Sequence, residues 1–333
     1  MCNCSELSVK EAEQHTILQM RRLYYIFLLL FIISFTVRPC FLFAQTNTIT
    51  VDISITDQRS VDSIAITSAQ WNEKVIASGI THRYIHFTDK ELFSSNQYIN
   101  ILEIMRCAGE IEIIPSPLLI ETSVLAAESG AIAAINGSFF KFNYEYNTKD
   151  YNSVDYIRKA GQTLAPNTYP DSGEREMHQK GALAVSRGKL CILKADTLKN
   201  WEDFIQAEEV LTTGPILRTA GVDELLDTTS FYTTRHPRTA IAKMPTGDIL
   251  FVTVDGRSTE SEGMSLEQLQ STLRWLGAEY IINLDGGGST TMYIKGESDN
   301  GVVNHPTDNR SFDNRGERKV ANIVIVKKLL NQE

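Results

Sequence analysis

The chain has 333 residues, 42% hydrophobic and 22% charged, with 41 acidic against 32 basic side chains and a formal charge of −9. These proportions are globular and exclude a disordered chain or a polytopic membrane protein, and the acidic balance argues against a nucleic-acid partner. Five cysteines are too few for a disulfide-built scaffold.

Near the start, Arg21-Arg22 precedes Leu23–Val37, a run without a charge, and Ala44 stands before Gln45. A positive start, a short apolar run and a small residue before a polar one form the pattern of an export signal. The run is shorter than the ~20 residues of a spanning helix, and an uncleaved membrane anchor is the alternative. Met20 is a natural start for such a signal. The expectation is an exported protein, periplasmic or in the cell envelope, meeting the membrane only through this segment. Cleavage after Ala44 leaves Cys107 and Cys191, which either pair or stay as buried thiols. The chain divides into an extension and signal (1–44), an N-terminal β-rich part (45–105) and a catalytic part (106–333), the last two forming one unit.

Ile49, Val51, Ile53 and Ile55 alternate with polar residues, which predicts a strand over 48–56. Short β-like stretches follow at 84–87, 98–104 and 111–114. Residues 117–129 read as a helix, with Ser116 as its cap, Pro117 in its first turn and Gly130 as its stop. Residues 131–135 form a buried strand ending at Asn136-Gly137. Between 141 and 180, Tyr144, Tyr146, Tyr151, Tyr156 and Tyr169 lie among polar residues without periodicity, which predicts a long surface excursion. Residues 182–185 and 190–193 form a hairpin through Arg187-Gly188. A helix around 201–207 and a strand at 209–211 lead to Thr213-Gly214-Pro215. A second hairpin pairs 238–243 with 249–254.

Ser265 caps a helix over 266–276, with Gln268 completing a capping box and Gly277 ending it. A buried strand at 279–284 runs into Asp285, and 320–326 is another apolar strand. Two units share one plan: a helix, a glycine, a buried strand, then a polar residue and glycine at the tip. They end at Asn136-Gly137 and Asp285-Gly286. The fold class is α+β, a largely β-sheet core with helices packed on it in a single catalytic domain.

The strongest chemical signal is Asp285 followed by Gly286, Gly287, Gly288, Ser289 and Thr290. Consecutive glycines let the backbone approach a ligand and turn N–H groups toward an anion. A tight turn formed by Asp285 is the plainer alternative. Arg238 heads a strand; its planar fork suits a phosphate, though a surface ion pair is the usual fate of one Arg. Asp255 and Arg257 end the next strand. Asn136 can bond a sugar hydroxyl or a phosphate, or simply form an Asn-Gly turn. Glu262 is a carboxylate that also suits the dipole of the helix after it. Asp285 and Asp255 are the best carboxylate pair for glycosyl transfer to water. Neither a serine-hydrolase elbow nor a zinc motif occurs, and no cofactor is required. A divalent cation shared by Asp255 and Asp285 is possible through oxygen ligands.

The order of Ala134–Phe140, Thr213–Pro215, Arg238–Ile241, Val254–Arg257, Asn283–Thr291 and Gly316–Asn322 resembles that of phosphodiester glycosidase domains. The resemblance spans about residues 78–326. It implies hydrolysis of a sugar joined through its anomeric carbon to a phosphodiester, with a glycan or sugar phosphate as partner. Carried over by motif, Asn136, Arg238, Asp255, Asp285, Gly286–Gly288, Ser289, Thr290 and Arg318 become pocket candidates. Thr213 stands where the family often has Ser, and the position of Glu262 varies. Arg238 and the glycine loop would hold the phosphate, and one Asp would serve the sugar side. The rivals are a non-catalytic envelope module that binds phosphoglycan, and a phosphodiesterase that cuts P–O.

Overall fold

The computed structural model describes residues 58–141, 151–168 and 174–329. The expected export signal, the strand at 48–56, and Tyr144, Tyr146 and Tyr169 lie outside those residues. In chain order the elements are α1 (Gln58–Thr67), β1 (Asn72–Ala77), β2 (Ile80–Leu92), β3 (Ser95–Ile104), β4 (Gly109–Glu121), α2 (Thr122–Glu128) and β5 (Ala133–Asn136). Next come β6 (Ile157–Lys159), β7 (Gln162–Ala165), β8 (Gly181–Ser186), β9 (Lys189–Lys194), β10 (Glu209–Thr213), β11 (Ile216–Thr219) and β12 (Val222–Asp223). The last are α3 (Ser230–Thr233), β13 (Arg238–Lys243), β14 (Ile249–Val254), α4 (Leu266–Trp275), β15 (Tyr280–Asn283), β16 (Met292–Ile294) and β17 (Lys319–Lys328).

The strands make three antiparallel sheets. Their orders are β1-β2-β3-β14-β13-β15-β11-β12, β7-β6-β10-β8-β9 and β16-β5-β17-β4. Apolar side chains on both faces explain why the central strands read as unbroken hydrophobic runs. Along β14, Ile249 and Phe251 enter a core shared by all three sheets, while Leu250, Val252 and Val254 face a second core. That second core is closed by Ile66 of α1 and by Leu266, Leu269 and Leu273 of α4. On the four-stranded sheet, Val324 and Val326 face the shared core, and Ile323 and Ile325 meet Leu125 and Ala126 of α2. The β-sheet core with helices packed on it is thus present, and mostly antiparallel. Because β3 pairs with β14 along six residues, the N-terminal β-rich strands and the β13–β14 hairpin share one sheet. From Thr56 onward the chain is one compact unit.

Local chemistry explains the elements that match. Ser265 accepts from the Gln268 N–H, and the Gln268 side chain accepts from the Ser265 N–H, which completes the capping box of α4. Arg187 and Gly188, at φ 49° and 71°, give the turn between β8 and β9 the left-handed pair that a two-residue hairpin requires.

Four expectations are corrected. Residues 117–121 are strand, and the helix begins only at Thr122. β4 is an edge strand, and its register with β17 shifts between Val320 and Asn322, opposite Pro115 and Pro117. Prolines lack an N–H and fit such irregular edges. The Ser116 hydroxyl accepts from the Leu118 N–H instead of capping a helix. Around Trp201 only a single 3-10 turn forms, to Phe204. The excursion is not wholly surface: Tyr156 is buried, and β6 and β7 join the five-stranded sheet. Cys107 and Cys191 form no disulfide, and both are exposed, so the buried-thiol expectation fails as well.

Candidate active site

The two parallel units of the sequence meet at their tips, although β5 and β15 belong to different sheets. Asn136 Nδ2 donates to the Asp285 carbonyl at 2.7 Å, and the Asp285 N–H donates to the Gly137 carbonyl at 3.0 Å. Asn136 Oδ1 accepts from the Thr239 hydroxyl at 2.8 Å and the Thr291 N–H at 3.1 Å. Asn136 is therefore fully buried and braces the junction; its expected contact with substrate gives way to this framing role. Gly137 is obligatory, because a Cβ there would lie 1.9 Å from Asn322 Oδ1. From the other side, Asn283 Nδ2 donates to the Gly214 carbonyl at 3.0 Å, which ties Thr213-Gly214-Pro215 to the same tip.

The glycine loop sits on this junction. The Gly287 N–H donates to the Pro237 carbonyl at 2.8 Å, and Gly287 has φ 62°. Arg257, itself left-handed at φ 61°, brings Nη2 to 2.9 Å from where a Gly287 Cβ would sit. Among the described residues Arg257 has no hydrogen-bond or ion-pair partner. Arg318 reaches the loop at Gly288 and binds Asp308 through two parallel bonds of 2.8 and 2.7 Å. Thr290 and Thr291 keep buried hydroxyls without a partner among the described residues, which is uncommon for buried polar groups.

The glycines are not equivalent. A Cβ on Gly286 would press on the Pro237 carbonyl at 2.7 Å, whereas one on Gly288 would meet only the side-chain ends of Asp308 and Arg318. Gly286→Ala is expected to destabilise by about 1–3 kcal/mol. Gly288→Ala should displace Arg318 with a smaller loss of stability. Thermal unfolding of the two variants side by side checks this order.

Asp285 is half-buried at the loop's base. Burial pushes its carboxyl up to about 6, against the opposing pull of Ser289, Arg318, the Gly286 N–H and His178. The carboxylate that the fold sets in its electrostatic reach is Asp155, not Asp255. Asp155 is fully buried and also pushed up to about 6, by burial first, with the charge of Asp285 adding to it. Its Oδ1 meets His178 Nδ1 at 2.5 Å. Burial disfavours the charged imidazole of His178, but the bond and charge of Asp155, with Glu176 and Asp285, raise its pKa overall.

Asp255 has another partner. It is buried and accepts from Asn304 Nδ2 at 3.0 Å, from the His305 N–H at 3.1 Å, and lies 2.7 Å from His305 Nδ1. The His305 ring stacks on Phe312 at 3.8 Å and meets the edge of Tyr98 at 4.8 Å. Burial and the Asp255 charge push the Tyr98 phenol up to about 12. Arg257, His305, Asp308 and Phe312 line an open cavity of about 710 Å³ beside the loop. With its oxygens engaged, Asp255 holds His305, and among the described residues it makes no hydrogen bond to Asp285. A cation shared by Asp255 and Asp285 finds no support either: among the described residues no group of three or more His, Cys, Asp or Glu is placed to hold one.

Arg238 is corrected most sharply. It is 2% exposed, and its guanidinium donates to the carbonyls of Met264 (2.8 Å), Phe231 (2.9 Å) and Thr234 (2.9 Å). Through Nε and Nη2 it clamps α3 and the approach to α4. Glu262 pairs with Arg235 at 2.7 Å, and Arg235 also binds the Phe93 carbonyl, so this carboxylate serves the turn between β2 and β3.

The family model "Phosphodiester glycosidase" matches residues 129–327, which contain Asn136, Asp155, His178, Asp255, the glycine loop and His305. The chain belongs to that family. Over 68 residues it is 35% identical to the SPbeta prophage-derived uncharacterized protein YomE of Bacillus subtilis (strain 168), a match covering 20% of this chain and 11% of that protein. Its fold is similar to the zebrafish N-acetylglucosamine-1-phosphodiester α-N-acetylglucosaminidase catalytic domain, at TM-score 0.57 and 16% identity, covering 82% of this chain and 92% of that one. A hypothetical protein from Synechocystis is similar at TM-score 0.52 and 16% identity, covering 78% of this chain and 64% of the other. At that identity both likenesses concern the fold. Of the residues at this candidate site, the sequence does not single out Asp155 or His178, and it offers His305 no partner. The chain has only six histidines, so asking where each one goes was the available signal.

Proposed function

We propose that this chain hydrolyses sugar-1-phosphodiesters, releasing the sugar by C–O cleavage, and that it works as an exported enzyme on envelope or capsule glycans. The observation that carries the catalytic reading is Asp285, a carboxyl with a raised pKa at the base of a glycine loop that holds Arg257 above it. Arg257 beside Gly287 holds the phosphate, with Arg318 close to the loop at Gly288. They stabilise the charge that grows on the phosphate as the bond to the anomeric carbon breaks. Asp285, ionised, takes a proton from the attacking water. The export reading rests on Arg21-Arg22 and the apolar run after them.

A suitable probe is methyl α-N-acetylglucosaminyl phosphate, the sugar named for the zebrafish fold neighbour, alongside its glucose and galactose counterparts. Hydrolysis in oxygen-18 water is expected to place the label in the sugar; label in the phosphate overturns C–O cleavage. Because Asp285 acts in its ionised form, kcat/KM should rise with pH through about 6. An acid limb far from that value removes Asp285 from the base role.

A further inference from the structure

We propose that His178 is the acid partner of Asp285: it protonates the departing phosphate, with Asp155 as its positioning residue. This rests on the reading above and adds the second half of its proton inventory. Asp155 binds Nδ1 at 2.5 Å from a wholly buried position, which fixes the ring and assigns the proton there. His178 keeps partial access to solvent, and its Nε2 meets no hydrogen-bond partner among the described residues. Phe139, next to the Asn136–Ser138 junction, packs on the ring at 5.0 Å. The turn that carries His178 abuts Gly214, whose Cβ would lie 2.7 Å from the Met177 carbonyl, and Gly214 is tied to the tip of β15. Ring and carboxylate are thereby mounted on one junction. The charged groups facing the imidazole are Asp155, Glu176 and Asp285, all anionic when ionised, and they favour the imidazolium.

The protons balance. Water's oxygen bonds to the anomeric carbon, and one of its protons passes to Asp285. The bond from that carbon to the phosphate oxygen breaks, its electron pair staying on oxygen, which takes the Nε2 proton of His178. Return of the proton from Asp285 to His178 restores both groups. The net change adds one water, with no oxidant or co-reactant. A phosphate leaves readily, so the acid need only be weak, and an imidazolium is of that strength.

The test uses the full chain with two probes of one sugar, methyl α-N-acetylglucosaminyl phosphate and α-N-acetylglucosaminyl fluoride. Fluoride departs without an acid. His178→Gln is expected to lose about 10²-fold in kcat on the phosphodiester and the basic limb of its pH profile, while keeping fluoride hydrolysis near wild type. Asp155→Asn, which leaves a neutral neighbour, should move that basic limb to lower pH. Equal losses on both probes, or an unmoved basic limb, overturn the acid role while the glycosidase reading stands. A wild-type chain that cleaves neither probe, nor their glucose and galactose counterparts, overturns both.

Discussion

Asp285→Asn is expected to lower kcat on a sugar-1-phosphodiester by about 10³-fold and, at pH 7, to make the protein more stable. The two effects share one cause. The folded chain holds the Asp285 carboxyl at about 6 because burial penalises its charge, whereas an unfolded aspartate ionises near the ordinary value of about 3.9. Between those values the folded state binds more protons than the unfolded one. Stability from this group is therefore full below pH ~4 and is lost as pH rises through about 6. At pH 7 the charge is already buried, at a cost on the order of 1–3 kcal/mol. Asparagine keeps the shape and accepts similar hydrogen bonds but never ionises. The variant's Tm should exceed that of wild type by about 2–4 °C per kcal/mol at pH 7, and the gain should vanish near pH 4. Retained turnover removes Asp285 from catalysis; a Tm below wild type at pH 7 removes the desolvation account. Asp155 titrates in the same range and faces Asp285, so the limb seen in a pH profile belongs to the group.

Legibility in the sequence tracked the range of the forces involved. The α4 helix was readable because its cap, its apolar face and its terminal glycine all lie within a few residues. The hairpin of β13 and β14 was readable for the same reason. The repeated plan ending at Asn136 and Asp285 marks two tips that the fold brings together, because buried strands that end in a polar residue and glycine have to turn there. What no local pattern could supply was partnership. Asp255 sits fifty residues from His305 and Asp155 twenty-three from His178, and only the tertiary fold brings each pair together. The aperiodic stretch that hides Asp155 looked like surface because β6 and β7 span only three and four residues. Pro117 misled for a related reason: the first turn of a helix and an irregular sheet edge both tolerate a missing N–H. Only the pairing with β17 decides between them.

Arg238→Ala separates a clamp from a phosphate ligand, and the expected result is a large loss of stability. The guanidinium bridges three carbonyls, two from α3 and its end and one just before the cap of α4, and lies 5.3 Å from the Phe231 ring. Burial, then the neighbouring charge of Arg257, lowers its pKa to about 10, which still leaves it charged at neutral pH. Truncation strands those carbonyls and opens a cavity, and each unpaired buried group costs about 1–3 kcal/mol. The expected loss is about 3–5 kcal/mol. Lysine restores only part of it, since one ammonium cannot reproduce a planar fork spread over three acceptors. The damage should also reach the chemistry indirectly. Phe231 packs on Phe139, and Phe139 packs on His178, so releasing α3 loosens the proposed acid. The folded fraction at low temperature should therefore show reduced kcat with a KM close to wild type. A variant with normal Tm and a KM raised tenfold or more would return Arg238 to the phosphate. Removing a phosphate contact weakens binding, whereas removing the clamp lets the frame beneath the site give way.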